Sequence, residues 1–99
     1  MFYYKLHKSK LGYLLAACDK SICDKKINNK NIEFHVNPRF YKDKSATEAQ
    51  MKKMFSMANS ANIIGKKIVQ LAMDLDLIDK EMVIDIGGIP HAQMIVAQG

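Results

Sequence analysis

The hydrophobic pattern of this chain changes period twice. Phe2, Tyr4 and Leu6 alternate with Tyr3, Lys5 and His7, the two-residue repeat of a half-buried strand. Met51, Met54, Phe55 and Ala58, and then Ala61, Ile64, Ile68, Leu71, Ala72 and Leu75, recur at helical spacing. From Met82 onward the residues favour strand again. A chain patterned this way has to lay helices against a sheet.

The local signals fill in that frame. A turn at Ser9–Gly12 joins the first strand to a second over Tyr13–Cys18, forming an antiparallel hairpin. Ser21–Ile27 suits a short helical turn and Asn28–Asn31 a loop. Ile32–Val36 reads as a third strand with Ile32, Phe34 and Val36 inward. Asn37-Pro38 ends it, because proline donates nothing to a ladder. Arg39–Lys44 reads as a surface connection. Ser45 and Glu48 fit a capping box that opens a helix over 46–59. Ser60 is placed as the N-cap of a second helix, with one bent helix over 46–77 as the alternative. Gly65 then falls early in that helix, where it costs about 1 kcal/mol relative to alanine and marks a close approach. Asp76–Glu81 is a loop. Met82–Ile86 and His91–Val96 make a C-terminal hairpin through Gly87-Gly88. The expected architecture is α+β: a small mixed or antiparallel sheet of about five strands, with two helices packed on one face. At 99 residues the chain is expected to be one domain, 1–99.

Charge is unevenly placed. Of the net +5, residues 1–44 hold +6, with ten Lys/Arg against four Asp/Glu, while residues 45–99 hold −1. A cationic half suits a polyanion such as RNA, and equally suits plain solubility. All the cations but Arg39 are lysines, which lack the planar fork of specific readout. Tyr3, Lys5 and His7, followed by Lys8 and Lys10, interleave aromatics with cations on one sheet face, a pattern that holds single strands by stacking and phosphate contact.

The densest chemistry is Ile86-Gly87-Gly88-Ile89-Pro90-His91-Ala92-Gln93. The diglycine leaves amides open to an anion, His91 is a candidate acid/base, and Gln93 shares its face. A second constellation spans Ala58–Lys67, where Asn62 and Gly65 would sit near free helix amides. Together these residues name a candidate ligand site: Asn62, Gly65, Gly87, Gly88, His91 and Gln93. The bland alternatives are a hairpin turn and a pair of helix caps.

Other chemistries lack their motifs. Lys67 is followed by Ile68, so no phosphate loop forms. No elbow surrounds a serine. Cys18 and Cys23, five apart, match neither a disulfide framework nor a zinc signature, and Cys18 reads as core. The acidic run Asp74, Asp76, Asp79, Glu81 and Asp85 has no calcium-loop spacing. Neither metal nor cofactor is expected.

Tyr4–Lys8, Ala61–Gly65, Leu77–Asp79 and above all Val83–Gln93 resemble domain-of-unknown-function family 424, a family of small archaeal proteins. The resemblance covers nearly the whole chain. It implies an archaeal, cytosolic, single-domain α+β protein with a suggested link to RNA or translation, and supplies no activity. Cys23-Asp24 stands where the family favours Leu-Gly, so the turn before Ile27 differs here.

The leading expectation is a non-enzymatic, cytoplasmic module for RNA or a ribonucleoprotein. Tyr3, Lys5, His7, Lys8 and Lys10 would meet phosphate, and the ligand-site residues would make the specific contact. The alternative is a small-molecule binder or small enzyme with His91 as acid/base. A third is a protein-interaction domain using the face of Met51, Met54 and Phe55. No segment is apolar and long enough to cross a membrane.

Overall fold

The computed structural model describes residues 1–10 and 12–95. The chain runs β1 (Phe2–Ser9), β2 (Gly12–Asp19), a 3-10 turn (Lys20–Ile22), β3 (Lys26–Asn29), β4 (Ile32–His35), α1 (Pro38–Tyr41), β5 (Lys44–Ala46), α2 (Glu48–Met57), β6 (Ser60–Ile64), α3 (Lys66–Asp74), a second 3-10 turn (Lys80–Met82), β7 (Ile84–Ile86) and β8 (Ile89–Ile95). The fold is α+β. Six strands form a mixed sheet in the order β5-β1-β2-β6-β8-β7, and β3 and β4 form a separate two-stranded sheet. Leu11 of the expected first turn and Val96 of the last strand lie outside the described residues.

Both terminal hairpins form as the alternation requires. β1 pairs antiparallel with β2, and β7 with β8. β2 and β6 lie at the centre, where Leu15, Ala17 and Ile63 are fully buried. One face is covered by α2 and α3: Leu15, Ala17 and Ile63 pack with Met51, Phe55, Ile68 and Val69. Removing each of these side chains larger than alanine from water contributes roughly 1.5–3 kcal/mol. The apolar face of α2 is therefore core. Met51 and Phe55 of the expected interaction face are buried and Met54 is half-buried, so what stays open there is the edge at Met57, where Met54, Met57 and Tyr4 line a cavity of about 380 Å³.

The second face is covered over part of its area by the β3–β4 hairpin and α1. Val36, Tyr41 and Phe34 close over Ala16, Cys18, Ile64 and Ile86.

Several elements differ from the expectation, each because a non-local pairing overrides a local signal. Ser60–Ile64 is a central strand, not the start of a helix. It lies parallel to β2, with Ala17 opposite Ile63, and antiparallel to β8, with Ile63 opposite Ala92. Asn59 joins that pairing instead of capping a helix. Its amide donates to Tyr13 O at 2.9 Å, and its Oδ1 accepts from Tyr13 N at 2.9 Å. The one bent helix over 46–77 is thereby excluded. Ser45 does not cap, because it is drawn into β5 opposite Tyr3. The capping box falls two residues later: Thr47 Oγ1 accepts from Gln50 N at 3.2 Å and Gln50 Oε1 accepts from Thr47 N at 2.8 Å.

The expected loop at 28–31 is half strand. Lys30 (φ 49°) and Asn31 (φ 67°) make a two-residue turn of the primed kind that matches strand twist. Ile32, expected inward, is 70% exposed, because this small hairpin has no sheet beyond it. Arg39–Lys44 contains α1 and the start of β5, and Tyr41 is buried.

Gly65 is a close approach, as its position in the sequence suggested, but the neighbour is a side chain. Asp19, at the end of β2, caps α3. Its Oδ2 accepts from Lys67 N and its Oδ1 from Ile68 N, both at 2.9 Å. A Cβ on Gly65 would lie 2.5 Å from the Asp19 carboxyl carbon.

Candidate functional site

The register of the sheet sorts the candidate residues into rows on the face opposite α2 and α3. Tyr3, Cys18, Ile64 and His91 form one row, Lys5, Ala16, Asn62 and Gln93 the next, and His7, Leu14, Ser60 and Ile95 the third. The first row lies under the covering elements, and the third is open from Leu14 to Ile95, with α1 over its His7 end. The middle row is the boundary between them.

Asn62 is the hinge of that boundary. Its Oδ1 accepts from the Tyr41 hydroxyl at 2.7 Å and meets His91 Nε2 at 3.0 Å. Because that oxygen accepts, the His91 Nε2 carries the proton and its Nδ1 is left as a lone pair. His91 Nδ1 is buried with no hydrogen-bond partner among the described residues. Burial lowers the His91 pKa below its ordinary 6.5, and the Phe34 ring beside it, 6.2 Å between centroids, offers no acceptor. The Tyr41 hydroxyl is pushed well above its usual range, chiefly by burial, and stays a donor. The imidazole is therefore neutral in the native protein near neutral pH.

This has a measurable consequence. Below pH 6.5 the unfolded chain takes up a proton that native His91 refuses, so stability is fully present above that pH and is lost progressively as pH falls. His91→Gln, which keeps a donor for Asn62 but does not titrate, should unfold with a flatter dependence of melting temperature on pH between pH 7 and 5 than the parent. Parallel slopes for the two proteins would rule out His91 as the origin.

Beyond Asn62 the uncovered rows form an open cleft of about 650 Å³, lined by Leu14, Phe40, Ser60, Asn62, Gln93 and Ile95, with Met82 at its rim. No lining side chain is charged. Gln93 sits directly across from Asn62 and is exposed. Asn62 spends its oxygen inside the protein, and its amide nitrogen is not a buried orphan. The floor thus offers two neutral carboxamides side by side under apolar walls. That arrangement suits a flat, uncharged group with a polar edge better than it suits an anion.

The other candidates lie elsewhere. Gly87 supports the small hairpin: a Cβ there would be 2.5 Å from Asn28 O. The Gly88 amide donates to Asp85 Oδ2 at 3.1 Å, so an internal carboxylate already takes it. Gly65 belongs to the α3 cap, on the far end of β6. Lys5 and His7 hold α1 onto the sheet: Lys5 Nζ donates to Arg39 O at 3.0 Å, and His7 Nε2 lies 2.8 Å from Phe40 O, with its ring stacked on Phe40. Tyr3 is half-buried beneath the ammonium groups of Lys20 and Lys42, 5.1 and 4.9 Å from its ring centroid. Lys8 and Lys10 are exposed. Tyr41, Phe40, Leu14 and Ser60 were not expected at the site. Alternation in Leu14-Leu15-Ala16 and Ser60-Ala61-Asn62 was the available signal, masked by the helical spacing of Ala61, Ile64 and Ile68.

Among the described residues no group of three or more His, Cys, Asp or Glu side chains is arranged to hold a metal ion. Among the same residues no helix is long and apolar enough to cross a membrane.

No curated protein matches the chain. A crystal structure of an uncharacterized conserved protein from Methanopyrus kandleri shares the fold, with a TM-score of 0.80 and 20% identity over 99% of this chain and 94% of that one. A family model matches residues 6–96, and the chain belongs to the family it describes, the proteins of unknown function DUF424.

Proposed function

We propose that this protein is a non-enzymatic, cytoplasmic RNA-binding module, and that the cleft over Asn62 and Gln93 receives an unpaired base. The observation that carries this is the pairing of two carboxamides, in register on adjacent strands, in the floor of an uncharged cleft. Carboxamides read base edges, and the Phe40 wall offers a flat aromatic surface. The same sheet row ends at Lys5, two strand spacings or about 10 Å from Asn62. Arg39, beside the lining Phe40, is exposed in the cationic half, where phosphates would be met, whereas alternation puts the exposed Lys8 on the opposite face of β1 and Lys10 past its end. An archaeal source is what the sequence resemblance implies, and it agrees with the Methanopyrus kandleri protein of like fold.

Fluorescence anisotropy with a labelled single-stranded RNA of mixed sequence, at low and high salt, tests this. Affinity should fall as salt rises, and an abasic oligomer of equal length should bind more weakly. The Gln93 side chain makes no hydrogen bond among the described residues, so Gln93→Ala should weaken binding about tenfold while leaving stability within about 0.5 kcal/mol. Absence of binding at low salt, or binding indifferent to salt, would overturn the proposal.

One atom favours a second reading, a pocket for a neutral small molecule with His91 as acid/base. The unpartnered Nδ1 of His91 is an unused acceptor, and a small cavity of about 180 Å³ touches its residue. Free nucleosides binding as tightly as the oligomer, without salt dependence, would favour that reading over RNA.

A further inference from the structure

We infer that Cys18 and Cys23 form a reversible oxidation site, a thiol pair that closes into an intramolecular disulfide when hydrogen peroxide is the oxidant. The local fold puts the two together. β2 delivers Cys18 into the second core cluster with no exposed surface. The 3-10 turn then folds the chain back: Lys20 N donates to Met1 O at 3.1 Å, and Cys23 N to Lys20 O at 3.3 Å. Asp24 N donates to Val36 O at 2.8 Å, which anchors the exit of the turn under the hairpin. Cys23 consequently packs on the same cluster as Cys18, five residues away across the turn, and the two thiols perturb one another. Cys23 is half-buried, whereas Cys18 is fully buried.

The two sulfurs are not equivalent. Burial, reinforced by Cys23 and Asp19, pushes the Cys18 thiol up to about 12, so it stays protonated and out of reach of a dissolved oxidant. Cys23 reacts first. Its Sγ takes the terminal oxygen of the peroxide as the O–O bond breaks, giving a sulfenic acid and one water. Cys18 Sγ then attacks Cys23 Sγ, and the thiol proton leaves with the sulfenic hydroxyl as a second water. The two thiols lose two electrons and one peroxide becomes two waters. A thiol reductant reverses the step by exchange.

Lys20 lies between the cysteines, which makes the product easy to read. The folded full-length chain is treated with hydrogen peroxide, alkylated with iodoacetamide and digested with trypsin without reduction. The wild type should lose both free thiols together, and the peptides ending at Lys20 and Lys25 should stay joined until dithiothreitol is added. In Cys23→Ser the buried Cys18 should remain a thiol in the folded state. In Cys18→Ser, Cys23 should pass on to sulfinic and sulfonic acids. Cys18 is in the core and its serine variant can fail to fold, so the wild-type digest and Cys23→Ser suffice for the decision. A wild-type chain that yields overoxidised Cys23 with Cys18 free, or a disulfide between two chains, overturns the inference.

Discussion

Gly65→Ala should lower the unfolding free energy by about 3 kcal/mol or more, measured by urea denaturation. Gly65 sits at φ 128° and ψ 149°, a region in which essentially only glycine is at ease. Backbone strain there costs roughly 1–3 kcal/mol for any other residue. The added Cβ would also fall 2.5 Å from the carboxyl carbon of Asp19 and force it off the α3 amides. Losing that cap costs a further 1–2 kcal/mol or so. Asp19→Ala separates the two contributions. It removes the cap acceptor for Lys67 N and Ile68 N without touching the backbone of Gly65, and should cost about 2 kcal/mol. In the double variant the penalties should fall short of their sum, because the clash disappears with the carboxylate. A Gly65→Ala protein within 1 kcal/mol or so of the parent would mean that the cap is not what fixes the β6–α3 junction.

Asn62→Ala should cost about 2–3 kcal/mol. Its oxygen is the shared acceptor of the Tyr41 hydroxyl and the His91 Nε2 proton. Tyr41 is 3% and His91 8% exposed, so neither donor can turn to water when the acceptor goes. Each buried donor left unsatisfied costs roughly 1–3 kcal/mol. Tyr41→Phe placed on the Asn62→Ala background removes one of the stranded donors and should recover about 1 kcal/mol. The same hydroxyl deletion in the parent should instead destabilise. A double variant no more stable than Asn62→Ala alone would show that the two groups are not coupled.

Asn62 also marks how far sequence reasoning reached. The residue was singled out for its chemistry, and Gln93 and His91 with it. Their meeting depended on an element the local pattern concealed. Ser60-Ala61-Asn62-Ile63-Ile64 satisfies helical spacing through Ala61, Ile64 and Ile68 as well as strand alternation does. What decides is β2, more than forty residues earlier, lying parallel to it. The same holds for Ser45, a sound helix cap in isolation that β1 draws into a ladder. By contrast the hairpin of β1 and β2 was legible because alternation, a glycine turn and the partner strand all fall within the first nineteen residues.

The charge map shows the same division. The excess of lysine in residues 1–44 is plain from the sequence. That Lys5 and His7 spend their polar atoms on the backbone of Arg39 and Phe40, while Lys8 and Lys10 stay free for solvent, depends on where α1 docks.

The chain itself determined its class, its terminal hairpins, the buried faces of α2 and α3 and its cationic half, because periodicity and charge are properties of neighbouring residues. Tertiary structure alone decided that Asn62 stands beside Gln93, that Tyr41 and His91 share its oxygen, and that Asp19 closes α3. Those contacts join segments distant in sequence, and their energy comes from burial and pairing that exist only once the strands have come together.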